Sequence, residues 1–294
     1  MFKVPLTFLF DFEHTSDVMR PYIMHEFAAN GAKHLVLTDT LISMVMQKPG
    51  MSSQLQKEMA SFGLTFVDAH APFGPELDPI CPEPDLRRVG ALRRKLAFSI
   101  AADLGVDTIA VHVGNDNRFA DQSIERSMEL IISALDDALA EAEKLNIVIA
   151  IENIWFRSNT PERLLEIKAK FPTEYLGFCY DSGHANLMDK GRYHTDSAPR
   201  AAWNAVGIAE PPWENQTLEK MLPHIVNCHL HDNDGSNDQH RNIGHGNIDW
   251  KHIIGLLKTA PRLKNIQSEV IPARTGEPIR EVCDAFQKLD FSLG

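Results

Sequence analysis

IVIAIENIWFRSNTPERLLEIKAKFPTEYLGFCYDSGH, residues 147–184, contains a complete strand–helix–strand unit. Residues 147–152 are a short apolar run that ends on a carboxylate, and residues 175–181 repeat that design. Between them, Thr160 followed by Pro161 marks a helix start, and the segment 161–170 carries a helical pattern. In the first strand Val148, Ala150 and Glu152 share one face, while Ile147, Ile149 and Ile151 share the other. A carboxylate closing an apolar strand is costly to bury unless it is paired or bound to a metal.

The same alternation extends in both directions. Strands are expected at 4–10, 34–38, 64–70, 107–113, 225–231 and 265–270, and helices at 16–30, 52–62, 85–104, 121–145, 249–259 and 277–289. Eight strand–helix alternations without a break in composition predict an α/β fold, a single (β/α)8 barrel domain over residues 1–294. An open doubly wound sheet is the alternative, but no GxGxxG turn follows the first strand. The stretch 187–223, with Trp203, Trp213 and a Pro-Pro pair, is read as a partly helical lid or as a contact between subunits of a homo-oligomer.

Size and composition agree with this reading. The chain has 294 residues, 44% hydrophobic and 23% charged, as expected of a globular protein with a sizeable core. A formal charge of −11 argues against a nucleic acid partner, which calls for a basic surface. The four cysteines have no CxxC spacing and are read as reduced thiols in the cytoplasm. The opening MFKVPLTFLFDFEH is too short an apolar run for a signal peptide, and no later run suggests a membrane partner.

Metal-type side chains recur where the strands end. The third strand ends FVDAHAP, the fourth AVHVGN, the fifth AIEN, the sixth FCYDSGH, the seventh NCHLHDND and the eighth QSEV. In a closed barrel these ends converge on one mouth, so residues remote in sequence can surround one ion. On the seventh strand Asn227, His229 and His231 are expected on one face, and Val226, Cys228 and Leu230 on the other. Each residue alone has an ordinary role: His70 or His112 as a hydrogen-bonded structural residue, Asp181 as a helix cap, Glu269 paired with a cation. His25, His224 and His252 are read as surface or packing residues. Repetition at one end of six strands is what points to a site. His231 and Asp232 are expected to steer a hydroxyl or orient His229, and Trp155 and Phe156 to pack on an apolar substrate face or in the core.

IEN, DSGH and HLHDNDGSNDQHRNIGHGNIDW resemble the xylose-isomerase-like and apurinic-endonuclease-like TIM barrels, over most of the chain from HAPF to SEV. In the sugar isomerase and epimerase branch, the resemblance implies a metal held by Glu152, Asp181, His229 and Glu269, with His184 contacting a substrate oxygen. In the endonuclease branch it implies further zinc ligands at His70, His112, His184, Asp238 and His240. The flanking residues depart from that second branch, in IENIWFRS, in DSGHANLMDKG and in Asp238-Gln239-His240, whereas GHGNIDW is similar to the isomerase branch. Three carboxylates and one imidazole suit Mn2+ first, with Mg2+, Co2+ or Zn2+ as alternatives. The implied activity is a divalent-metal-dependent sugar or sugar-phosphate isomerase or epimerase in carbohydrate metabolism, with Glu152 and Glu269 exchanging a proton through a metal-stabilised enediolate. A dehydratase or lyase on a polyol, a zinc-dependent apurinic endonuclease and a non-catalytic binding protein rank below it.

Overall fold

The computed structural model describes residues 4–11 and 15–289; the part of the amino-terminal reading that falls on 1–3 and 12–14 lies outside the described residues. Eight strands run β1 (Leu6–Phe8), β2 (His34–Leu37), β3 (Thr65–His70), β4 (Thr108–Val111), β5 (Val148–Glu152), β6 (Leu176–Asp181), β7 (Ile225–Leu230) and β8 (Ile266–Ser268). Each pairs in parallel with its sequence neighbour, and β1 closes onto β8 through Leu6↔Ile266, Thr7↔Gln267 and Phe8↔Ser268. This is the closed (β/α)8 barrel the sequence predicts.

Strand alternation divides the interior in two. Ile147, Ile149, Ile151, Phe178 and Leu230 point outward and join Phe98, Leu139, Leu164 and Ile254 of the surrounding helices in a buried ring. Burial of each such side chain contributes about 1.5–3 kcal/mol. Inside the barrel, Ala110, Val148, Ala150, Cys179 and Val226 form a small apolar cluster. Val226 corrects the expectation that it faces outward with Cys228. The β6–β7 register runs Phe178↔Ile225 and then Cys179↔Asn227, so one extra residue is inserted in β7. That bulge turns Val226 inward against Gly177, where a Cβ would come within 2.5 Å of Val226 Cγ1.

Helices differ from expectation mainly where local signals conflict. The first is Arg20–Ala29, not 16–30, because Pro21 sets its first turn. Asp39–Gln47 is a helix that the sequence pattern did not reveal; Thr38 caps it by accepting a hydrogen bond from Leu41 N at 3.2 Å. Ser182–Lys190 begins directly on the end of β6. The stretch 187–223 is partly helical, with Ala198–Ala205 and Thr217–Met221. It is tied to the mouth by Trp203 Nε1, which donates to the Trp155 carbonyl at 2.8 Å. All four cysteines are buried and unpaired. Among the described residues no helix is long and apolar enough to cross a membrane.

Candidate metal centre

Ten side chains meet at the carboxyl ends of the strands. Glu152 and Asp181 are the last residues of β5 and β6, His229 lies within β7, and Glu269 follows β8. All four are buried. His229 Nδ1 lies 3.5 Å from Glu152 Oε2, 4.0 Å from Asp181 Oδ2 and 3.2 Å from Glu269 Oε1. One imidazole nitrogen therefore faces an oxygen from each of three carboxylates, supplied by four consecutive strands.

A second set surrounds this core. His70 and His112, from the ends of β3 and β4, place their Nε2 atoms 3.7 and 3.3 Å from Glu152 Oε2, and 3.2 Å from each other. His184 lies 3.1 Å from Glu152 Oε1 through Nδ1 and 3.6 Å from Asp238 Oδ2 through Nε2. His231 Nε2 sits 3.3 Å from Asp181 Oδ2 and 3.7 Å from Glu269 Oε2. His240 stacks on His231 at 4.1 Å and reaches Asp238 Oδ2 at 2.9 Å. His240 adopts a left-handed φ of 49°, with its ring held by the Glu269 carbonyl at 2.8 Å. A non-glycine residue in that region costs of order 1 kcal/mol or more and persists only where its surroundings fix it.

The local sequence explains the placement. Asn153, directly after Glu152, clamps β5 to β6: its amide donates to the Asp181 carbonyl at 3.0 Å and its oxygen accepts from Asp181 N at 2.8 Å. Ser182 Oγ bridges to β7, donating to the His231 carbonyl at 2.8 Å and accepting from His231 N at 3.1 Å. Asp232 departs from expectation. It neither contacts His229 nor faces the mouth; its carboxylate accepts from Asn233 N, Gly244 N and Trp250 Nε1 at 3.0, 2.9 and 2.8 Å. One step beyond His231 in the alternation, it lies on the Leu230 face and organises the loop that delivers Asp238 and His240.

Electrostatics favour added positive charge. Burial raises the proton affinity of the Glu152 carboxyl, yet His229 and His112 outweigh it and hold the group well below the usual carboxylate range. Burial acts likewise on Glu269, and His229 and His240 reverse it. Burial depresses the imidazoles, but Asp181 and Asp238 push His184 well above its ordinary value, and Cys179, Glu269 and Glu152 do so for His229. His240 is raised to about 9, burial again being outweighed by Asp238. For His112 burial prevails and the ring stays neutral, the form that ligates metal. Glu152 Oε2, both ring nitrogens of His229, His231 Nδ1 and Asp238 Oδ1 are buried without a hydrogen-bond partner. Orphaned donors and acceptors of this kind, clustered around shared centres, fit bound cations. Asp181, His229 and Glu269 offer ligand atoms within 4.8 Å of one another, and so do His70, His112 and Glu152.

A cavity of about 260 Å³ opens onto this centre. Glu152, Glu269, His70, His112, His184, Asp238 and His240 line it, whereas Asp181 and His229 lie behind. Trp155 and Phe156 form part of its apolar wall, and Trp155 stands edge-on to His184 at 4.9 Å. Arg94, Arg118 and Phe73 also line it. These three were not legible as site residues, because Arg94 lies in an ordinary helical run and Arg118 in a polar loop.

A family model described as xylose isomerase-like TIM barrel matches residues 10–285. The uncharacterized protein MJ1311 of Methanocaldococcus jannaschii is 29% identical over 196 residues, 65% of this chain and 60% of that protein. The matches span about half to three fifths of the curated relatives' own length. Among solved structures, a D-tagatose 3-epimerase-like protein superposes with a TM-score of 0.74 at 21% identity, covering 99% of this chain and 100% of that one. D-psicose 3-epimerase from Clostridium cellulolyticum H10, solved with D-tagatose, gives 0.71 at 13% identity and covers 99% of each chain. With a match running from just after the first strand into the last helix, the chain belongs to the xylose isomerase-like TIM barrel family.

Proposed function

We propose that this protein is a divalent-metal-dependent sugar isomerase or epimerase that moves a proton on a carbon next to a carbonyl. The observation that carries the reading is a division of labour among the four core residues. Glu152 and Glu269 line the cavity, where they can touch a substrate, while Asp181 and His229 stand behind it. Glu152, Asp181, His229 and Glu269 would hold the ion, and an oxygen-rich set of this kind suits Mn2+, with Mg2+, Co2+ and Zn2+ as the alternatives. A divalent ion bound there would supply positive charge that acidifies a carbon-bound proton beside a carbonyl. One of Glu152 and Glu269 takes that proton, and the other, ionised at rest, returns one from its own side of the cavity after picking it up from solvent. Both carboxyls are held ionised by the neighbouring imidazoles, so each is ready to act as a base. Trp155 and Phe156 exclude water from the developing enediolate and present an apolar face to the carbon skeleton.

The test is to incubate the Mn2+-loaded protein with a panel of ketoses and ketose phosphates in D2O. Deuterium incorporated at C2 or C3 supports the reading, and Glu269→Gln should lower that exchange about 10²-fold or more. A second reading, a zinc phosphodiesterase, is favoured by the outer histidines, which add further three-donor groups to the core. Several zinc ions per chain, together with incision of an abasic-site duplex and no exchange into any sugar, would replace the first reading with the second.

A further inference from the structure

Two arginines line the cavity that the metal-type residues open into. Arg94 comes from the helix Pro84–Asp103 after β3, and Arg118 from the 3-10 turn Asp116–Phe119 after β4. Their guanidinium groups grip adjacent positions of one loop: Arg94 Nη2 donates to the Leu77 carbonyl at 3.3 Å, and Arg118 Nη1 to Asp78 Oδ2 at 3.4 Å. Two cations are thereby gathered on the β3–β4 side of the mouth. The carboxylates of the centre enter from β5, β6 and β8 and from the loop after β7.

The local acid, Asp78, is ion-paired with Arg118 at 3.4 Å and offsets only one of the two cations. Asp78 Oδ1 accepts from Ile80 N at 3.1 Å, and Oδ2 accepts from Asn115 N at 3.0 Å besides Arg118. Asp137, which also faces Arg94, is held by Lys95 at 2.6 Å. Arg94 has no ion pair within 4.0 Å among the described residues, and burial pulls its proton affinity below the ordinary value. A guanidinium has five donors. Half-buried and with a single carbonyl partner, Arg94 keeps donors turned to the cavity that an anion can meet. Phe73, Leu77 and Trp155 on the same cavity keep water from screening such a pair.

We infer that the cavity binds a substrate carrying an anionic group, a terminal phosphate or carboxylate, which Arg94 and Arg118 hold while the other end lies at the carboxylate–histidine centre. The inference rests on the isomerase reading for what happens at that centre, but the anion contact itself is a matter of binding. It makes the substrate class a sugar phosphate or sugar acid and not a neutral sugar. The volume of about 260 Å³ and the chain's charge of −11 suit a small anion better than a polynucleotide. Arg118 contributes through its exposed side of the cavity, and Arg94 through its more deeply held donors.

The experiment compares matched pairs on the Mn2+-loaded protein by calorimetry: D-ribulose with D-ribulose 5-phosphate, and D-fructose with D-fructuronate. One anionic member should bind about tenfold or more tightly than its neutral partner, the worth of one charged hydrogen bond. Arg94→Gln and Arg118→Gln should each erase most of that advantage, and Arg94→Lys should restore part of it. Manganese content and circular dichroism check that the variants fold, and Arg118→Gln, at a half-exposed position, keeps the test open if Arg94→Gln does not fold. An advantage confined to the phosphate or to the carboxylate supports the inference and names the anion. Equal affinity for neutral and anionic partners in the wild type, or variants that weaken both members equally, overturns it. Arginine-dependent binding of an abasic-site duplex without binding of either small anion also overturns it. Absence of deuterium exchange with every sugar sinks the isomerase reading alone, and the affinity ratios still decide this one.

Discussion

Asp181 uses its two oxygens for different ends. Oδ1 caps the helix Ser182–Lys190 by accepting from His184 N at 2.6 Å, and Oδ2 faces His231 and His229 at 3.3 and 4.0 Å. Asp181→Asn can keep the cap through its amide oxygen, yet it removes an anion from the centre. We expect Mn2+ affinity to fall by about tenfold or more while the metal-free protein still folds. Equilibrium dialysis against Mn2+ checks the first and thermal unfolding in chelator the second; unchanged affinity would place the ion elsewhere. The ordinary reading of this residue as a cap and the functional one are thus compatible in a single side chain. Glu152 and Asp181 were legible because each ends an apolar strand, where a carboxylate needs a reason. Asp232 was misjudged because it shares a run with two histidines of the mouth, although alternation already assigns it to the Leu230 face. Arg94 sits in LRRVGALRRK, a run indistinguishable from any solvated helix, and only the folded cavity wall distinguishes it.

The helix Ser182–Lys190 shows how an element positions the centre. Gly183 lies in its first turn against the His231 ring, and a Cβ there would come within 2.0 Å of His231 Cε1. Gly183→Ala must displace either the imidazole or the helix start. We expect a loss of about 1–3 kcal/mol in stability, the usual scale of overpacking. A drop in metal-dependent turnover beyond what the folded fraction explains should accompany it. Denaturant melts paired with activity per folded molecule check this, and full activity in a destabilised variant would show that His231 is dispensable. At this scale the strands were the readable part, since β4 and β5 are continuous apolar runs buried on both faces and the others carry shorter ones. The helix Asp39–Gln47 was not, because LISMVM carries β-branched and apolar residues without a polar face. The bulge in β7 was also hidden, because an alternating pattern contains no mark of an inserted residue.

Across the whole molecule the centre joins β3 to β8, so its charge balance bears on global stability. Without metal, His184 and His229 lie well above their ordinary value and His240 near about 9, because the carboxylates outweigh burial. A base raised on folding stabilises fully below its unfolded value, here 6.5, and that contribution is lost as pH rises through the folded value. The metal-free protein should therefore weaken between about pH 6.5 and 9, while bound metal replaces the protons and removes the dependence. The fall in melting temperature caused by chelator should then be larger at pH 9 than at pH 6, by about 5 °C or more. Scanning fluorimetry with and without EDTA checks it, and an equal fall at both pH values would show that the histidines carry no such load. The closure of β1 onto β8 has a further consequence, for biogenesis. A chain leaving the ribosome exposes Glu152, Asp181 and His229 in turn, but Glu269 emerges only after the strand that shuts the barrel. Until residue 269 is out, the nascent protein offers an incomplete and loosely held set of donors. An ion held by all four donors would therefore be chosen after synthesis, by a closed barrel.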